Sequence, residues 1–326
     1  MTSSPRLLEK SVAAAIAAAL LVGMPSAADA QDGAPARTLP PAAYSLTTKD
    51  GVQLRITYFP STAGEQAVPV VMLHDFNETR AVFTPLATLL QSPTQDIAES
   101  LPPGPPLQGC AVVTVDLRGH GESKTAVDGD LAVELDAAHF QVGDYHDMVL
   151  FDMEAVRAFL VAENDAGRLN LNKLCIVGAG MGANVALAFA ARDWSIPPLA
   201  ARKQGQDVKA LVLLSPTRTF HGLSSIEPLK FPPVQQGLSI YLAYGAGDPK
   251  VAKDCKNIAK IFERYHPEPP RELMASRKDY FVFAPNTPRQ GTELLTREEF
   301  AQLPRIAGFV EMRLGRRDFP HVVRLK

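Results

Sequence analysis

Cysteine is scarce in this chain of 326 residues: only Cys110, Cys175 and Cys255 occur. None belongs to a Cys-x-x-Cys pair or to a Cys/His spacing suited to zinc, so a thiolate metal centre finds no ligands. The odd count leaves a single disulfide open. Cys110 and Cys175 begin or lie within apolar runs, where a free thiol behaves as a small buried hydrophobe, and structural thiols are the expectation. An excess of one charge is also missing. Lys plus Arg number 33 against 35 for Asp plus Glu, so no global field favours nucleic acid or an anionic membrane. The basic C-terminal end (Arg313, Arg316, Arg317, Arg324, Lys326) reads as a solvated tail. Long hydrophobic runs are absent as well. The apolar stretch at residues 12–22 is shorter than the roughly 20 residues a spanning helix needs, so no stable membrane span is expected. There is no internal repeat, and nothing in the sequence calls for a cofactor.

That short apolar stretch has a meaning of its own. Arg6 and Lys10 precede it, and a small-residue region ending Ala28-Asp29-Ala30 follows. The order is that of a secretory signal peptide cleaved after Ala30, which predicts export to a periplasmic or extracellular space. No cysteine lies at the junction, so lipid attachment there has no support. Residues 1–30 are assigned to the signal peptide, 31–43 to a Pro/Ala-rich linker, and 44–326 to one domain.

Within that domain, residues 44–48 and 52–59 alternate apolar and polar side chains around Asp50-Gly51, a strong hairpin signal. Residues 68–73, 110–115, 171–177, 208–214, 238–244 and 280–284 are strand-like, and the first of these is a continuous apolar run, as in a strand covered on both faces. Helical spacing follows at 79–90, 144–161, 181–192, 251–265 and 297–314. The prolines at 93, 102, 103, 105 and 106 mark residues 92–108 as a surface excursion without regular structure. Asp144, His146 and Asp147 look like metal ligands, but a helix start explains them better, since carboxylates there cap free N–H groups. No metal site is expected. The alternation of strands and helices predicts an α/β fold with a mostly parallel sheet.

One stretch stands out: residues 174–192, LCIVGAGMGANVALAFAAR. Strand, glycine-rich turn and helix in succession form the context of two functional turns. In the nucleophile elbow, G-x-S-x-G, a strained turn pushes a serine out above the sheet. Gly178, Gly180 and Gly182 match it except that serine is missing. In the dinucleotide-binding turn, G-x-G-x-x-G/A, glycines admit a pyrophosphate. Gly178, Gly180 and Ala183 match that pattern outright.

The wider sequence resembles the α/β-hydrolase family from about residue 44 to residue 314. The resemblance is carried by residues 70–76 (VVMLHDF), 113–123 (VTVDLRGHGES), 176–182 (IVGAGMG), 211–216 (LVLLSP) and 244–249 (YGAGDP). It implies the α/β-hydrolase fold: a mostly parallel central sheet with an N-terminal antiparallel hairpin, helices on both faces, and no large lid after Ser215-Pro216. It also opposes the nucleotide reading. A dinucleotide turn opens the first strand–helix–strand unit and has an acid at the end of the next strand. Here the turn comes after several strands and the next strand ends at Ser215.

The resemblance implies a catalytic triad, and the chain fills it unusually. The nucleophile position is Gly180, the acid position Asp248, and the histidine position Gln290, in Pro288-Arg289-Gln290-Gly291-Thr292 where members read roughly Gly-His-Gly-Thr. Glycine cannot attack, and an amide is no base near neutral pH. The oxyanion-hole N–H groups correspond to Phe76 and Met181. The loop before Phe76 reads His74-Asp75 where members read His-Gly; Asp75 either faces the hole, opposing a developing oxyanion, or faces solvent. Pocket candidates are His74, Asp75 and Ser215. His74 and His120 match positions that buttress loops in the family, and His321 is a remote candidate for a displaced base. Glycine at 180 would relieve the strain of the elbow, about 1–3 kcal/mol for another residue. The expected function is therefore that of an exported, non-catalytic family member acting by binding a small molecule or protein not identifiable from sequence. An esterase-like hydrolase with a displaced nucleophile or base, and nucleotide binding at the glycine turn, are the alternatives.

Overall fold

The computed structural model describes residues 38–104, 108–129, 131–199 and 203–324. The proposed signal peptide and its cleavage site lie outside these residues. Ala42–Thr47 (β1) and Gln53–Phe59 (β2) form the expected hairpin, with Thr47 opposite Gln53. Gly51 makes its turn at φ +85°, a conformation open to glycine because it lacks Cβ. Then come Pro69–Leu73 (β3), Ala111–Val115 (β4), a small hairpin of Thr125–Asp128 (β5) and Leu131–Glu134 (β6), and the elbow strand Leu174–Ala179 (β7). Val208–Leu214 (β8), the two-residue strands Thr219–Phe220 (β9) and Leu223–Ser224 (β10), Ser239–Ala243 (β11) and Tyr280–Phe283 (β12) complete the series.

The main sheet runs β1-β2-β4-β3-β7-β8-β11-β12. β2 pairs antiparallel with β4, and every pair from β4 to β12 is parallel. The order reverses at β3, which has β4 on one side and β7 on the other. Loops leaving neighbouring strands at such a reversal diverge to opposite faces and open a crevice at the strand C-termini. Asp75 follows β3 and Gly180 follows β7, with Leu73 opposite Gly178 in register.

Alternate residues of the parallel strands feed two cores. Val71, Leu73 and Ile176 belong to one, and Val70, Met72, Cys175 and Val177 to the other. This two-sided burial explains the continuous apolar runs. Thr84–Gln91 (α1) covers the second core through Leu86 and Leu90, with Phe83 just before it, together with the late helix Gln302–Val310 (α9). The short helix Gln95–Ser100 (α2) corrects the expectation of an irregular excursion. It is six residues long and fits between Pro93 and Pro102, which bound it without entering it.

The expected helix at 144–161 is likewise divided: Val142–Asp147 (α3), a wide π-type turn at Met148–Asp152, and Met153–Asp165 (α4). Asp152 in that turn is fully buried and takes both the backbone N–H (3.0 Å) and Nε (2.8 Å) of Arg118. Met181–Ser195 (α5) follows the elbow, Pro232–Gln236 (α6) lies in the connection after Ser215, and Pro249–Tyr265 (α7) follows β11. The four-residue Met274–Arg277 (α8) precedes β12, and Gln302–Val310 (α9) ends in a second wide turn, Glu311–Gly315. The connection from β8 to β11 holds β9, β10, one tight helical turn at Pro228–Lys230 and α6, so there is no large lid domain.

The basic end is not a solvated tail as far as Arg324; Lys326 lies outside the described residues. Asn164 Nδ2 donates to the Val322 carbonyl (3.0 Å) and Asn170 Nδ2 to that of Phe319 (2.7 Å). Arg324, buried, meets the fully buried Asp207 at 2.8 Å. The three cysteines are free and buried, and burial pushes the Cys110 thiol up to about 12.

Candidate active site

Four turns define the site: the loop after β3, the elbow after β7, the end of β8, and the loop after β12. Gly180 sits at φ +46°, ψ −109° as the residue before α5, and its N–H donates to the Leu214 carbonyl (2.9 Å). The flanking glycines serve close packing. A Cβ on Gly182 would lie 2.2 Å from the Leu73 carbonyl oxygen, so β3 and the start of α5 can meet only without it.

The loop after β3 delivers Asp75 into this corner. Its Oδ1 accepts the N–H of Phe76 (2.7 Å) and the N–H of Met181 (2.8 Å). These two donors come from different loops and converge on one oxygen. Its Oδ2 lies 2.0 Å from where a Cβ on Gly180 would stand. The carboxylate thus fills both the space of the missing side chain and the space before the paired N–H groups. Asp75 is itself anchored. Its N–H donates to Glu78 Oε2 (3.0 Å), and Glu78 Oε1 accepts the hydroxyl of Thr292 from the loop after β12. A sequence signal for Glu78 existed in its place three residues after Asp75, the spacing of a reciprocal turn.

His74 buttresses the same loop. Its Nε2 faces the Leu117 N–H (3.2 Å) and must accept, so the proton is on Nδ1 and is donated to the Asp75 carbonyl (2.6 Å). The ring is fully buried, and burial holds its pKa down at about 4. His120 packs beside it, ring centroids 5.1 Å apart, and is also lowered by burial. Phe76 lies against His120 at 5.4 Å and against Phe220 of β9 at 5.6 Å, while His221 in the β9–β10 turn stacks on Tyr145 at 4.8 Å. This aromatic cap was not legible in the sequence, because it joins segments without a shared motif.

Gln290 lies beside the end of β8. Its Oε1 accepts the Ser215 hydroxyl (2.7 Å) and the Gly245 N–H (3.1 Å), while its Nε2 donates to the Gly245 carbonyl (2.9 Å). Ser215 Oγ in turn accepts the Gly291 N–H (2.9 Å). An amide meets this demand because it offers acceptor and donor at once. Ser215 holds φ +52°, an uncommon conformation for a residue with a side chain. Asp248 turns away to cap α7, its Oδ1 accepting the N–H groups of Lys250 (2.9 Å) and Val251 (3.1 Å). The structure therefore brings Asp75, Phe76, Gly180 and Met181 into direct contact, and Ser215 with Gln290, while Asp248 bonds its own helix. His321 is elsewhere, bonding the Asn164 carbonyl (2.9 Å) beside the docked C-terminal segment. Asp144 caps its helix by accepting the Gln141 N–H (2.7 Å), and among the described residues no group of three or more His, Cys, Asp or Glu is placed to hold a metal.

Comparison with known proteins places this architecture. The sequence model of the alpha/beta hydrolase fold matches residues 68–311, and the chain belongs to that family. No curated protein sequence matches it. Solved structures share the fold. An esterase of Pyrococcus furiosus, Pf2001, superposes with a TM-score of 0.51 at 15% identity, over 84% of this chain and 91% of that one. The alpha/beta hydrolase GrgF from Penicillium sp. sh18 does so with 0.51 at 15% identity, over 85% and 99%. Among the described residues no helix is long and apolar enough to cross a membrane.

Proposed function

We propose that this protein is a non-catalytic member of the alpha/beta hydrolase family that acts by binding, exported after cleavage at Ala30. The observation that carries the reading is the Asp75 carboxylate, whose one oxygen accepts both Phe76 N–H and Met181 N–H. Those donors would have to face a developing oxyanion during acyl transfer, and a resident carboxylate puts negative charge in that place. Gly180 offers no nucleophile, and Gln290 is committed through both ends of its amide to Ser215 and Gly245. Loss of one member of a comparable triad costs on the order of 10⁶ in turnover.

The same carboxylate argues against nucleotide binding at the glycine turn. A pyrophosphate needs the free N–H groups at the helix start, and Met181 N–H is already given to Asp75. Incubation with a fluorophosphonate probe is expected to leave the protein unlabelled, and short-chain aryl esters are expected to hydrolyse at the background rate. Stoichiometric labelling of any serine, or turnover abolished by Asp248→Ala, overturns the reading in favour of an esterase. Export is checked by the mature N-terminus of the protein recovered from the periplasm or medium, expected at Gln31.

A further inference from the structure

The basic residues at the end of the chain divide into two groups. Arg316 pairs with Glu311 at 3.3 Å, and Arg324 with Asp207 at 2.8 Å. Arg313 and Arg317 differ. Arg313, on the wide turn Glu311–Gly315, is only 1% exposed. Its Nη1 and Nη2 reach the Ser276 carbonyl oxygen at 3.4 and 3.3 Å, and its Nε is buried without a hydrogen-bond partner. Arg317 Nη2 donates to that same carbonyl at 3.0 Å. Among the described residues neither guanidinium has a carboxylate within ion-pairing distance. The acid whose charge reaches Arg317 is Asp279, and it is bonded to His266 Nδ1 at 2.9 Å.

Three N–H groups from two cations thus converge on one neutral oxygen that has two lone pairs. A buried guanidinium without a counter-charge is costly, and an orphaned buried donor calls for an unseen partner. Arginine forks match the oxygens of an anion with two parallel bonds each. Two forks arriving from different residues need more than the two coplanar oxygens of a carboxylate; a tetrahedral anion supplies them. Arg317 is partly exposed and Arg313 is buried.

We propose that Arg313 and Arg317 form a binding site for a tetrahedral oxyanion, phosphate or sulfate, beside the Ser276 carbonyl. Since α8 precedes β12, this site lies at the end of the parallel strands opposite the elbow, and it is independent of the reading given for Gly180 and Asp75.

The test is calorimetric titration of the whole protein with inorganic phosphate, sulfate and acetate at constant ionic strength set with chloride. Phosphate or sulfate is expected to bind at one site per chain, and acetate at least about tenfold more weakly, because it can satisfy one fork only. Arg317→Gln, on the exposed side, is expected to weaken phosphate binding about tenfold or more. Arg316→Gln removes equal charge nearby and is expected to leave binding unchanged. Arg313→Met is expected to abolish binding; should it fail to fold, the Arg317 and Arg316 variants decide. Absence of binding to the wild type, equal loss in Arg316→Gln and Arg317→Gln, or acetate binding as tightly as phosphate overturns the proposal.

Discussion

Asp75 occupies the space that a side chain on residue 180 would need. A Cβ built on Gly180 falls 2.0 Å from Asp75 Oδ2 and 2.1 Å from both Cγ and Oδ1. A serine at 180 and this carboxylate are mutually exclusive in the present backbone. The two departures from the family's pattern, one in the loop after β3 and one at the elbow, are therefore a single structural fact.

A double-mutant cycle measures that coupling. Gly180→Ser alone meets backbone strain of about 1–3 kcal/mol at φ +46° and steric overlap of a further 1–3 kcal/mol or so. Gly180→Ser combined with Asp75→Gly retains the strain and loses the overlap, so the double variant is expected to be more stable than Gly180→Ser by about 1–3 kcal/mol. Urea denaturation of the four proteins gives the coupling directly. Strict additivity of the two changes would show that the carboxylate readily moves aside.

Gln290 makes a second prediction, on stability alone. Gln290→Ala strips the partners from the Ser215 hydroxyl, the Gly245 N–H and the Gly245 carbonyl together. Each buried group left unsatisfied costs about 1–3 kcal/mol, reduced where water can enter. A loss of at least about 2 kcal/mol is expected in chemical denaturation. A change within experimental error would mean that the network contributes only geometry.

The fold was largely legible because its signals are local. The two-sided strands leave continuous apolar runs at 70–73 and 211–214, the hairpin announces itself at Asp50-Gly51, and the elbow is a glycine pattern. The empty nucleophile position could be read directly from Gly180. What filled it could not. Whether Asp75 faced the oxyanion-hole donors or solvent was an even choice from sequence, since the answer depends on Met181 lying 106 residues away. The same limit hid the fate of the C-terminal arginines, whose partners Asp207 and Ser276 are distant in sequence, and the aromatic cap over the site. Short α2 is hidden for a different reason: the prolines of residues 92–108 bound a helix at Gln95–Ser100 without entering it, so their density does not exclude one.

Docking of that C-terminal segment yields a third prediction. Arg324 gives the fully buried Asp207 one of its three cations, alongside Arg157 (2.9 Å) and Lys203 (3.0 Å). Breaking a buried pair from one side typically costs about 3–5 kcal/mol. Arg157 and Lys203 remain with Asp207, so Arg324→Met is expected to fall below that range, a loss of about 2–3 kcal/mol in chemical denaturation. A solvated tail, as the sequence suggested, would show no change.

The fourth prediction is a pH dependence centred on His74. Burial holds the folded imidazole at about 4, against 6.5 for the exposed group, and the Leu117 N–H donated to Nε2 demands the neutral ring. The unfolded chain therefore takes up a proton near pH 6.5 that the folded chain refuses until about pH 4. The His74 contribution is complete above pH 6.5, declines as pH falls from 6.5 towards 4, and is constant below; its size is about 3 kcal/mol. His120, also lowered by burial, acts in the same direction. Asp152 and Asp193, raised to about 6 by burial, act in the opposite one: the stability they carry is full at low pH and is lost as pH rises towards 6. The total curve thus mixes signs, and the useful measurement is the difference between the wild type and His74→Gln. That difference is expected to shrink by about 3 kcal/mol between pH 7 and pH 4. Because protonation falls on Nε2, it opposes the Leu117 N–H that Nε2 accepts and leaves the Nδ1 bond to the Asp75 carbonyl in place, so the same acid limb is expected to raise amide exchange at Leu117 above that of the neighbouring core. Parallel stability curves for the two proteins from pH 7 to 4 would place the acid sensitivity somewhere other than His74.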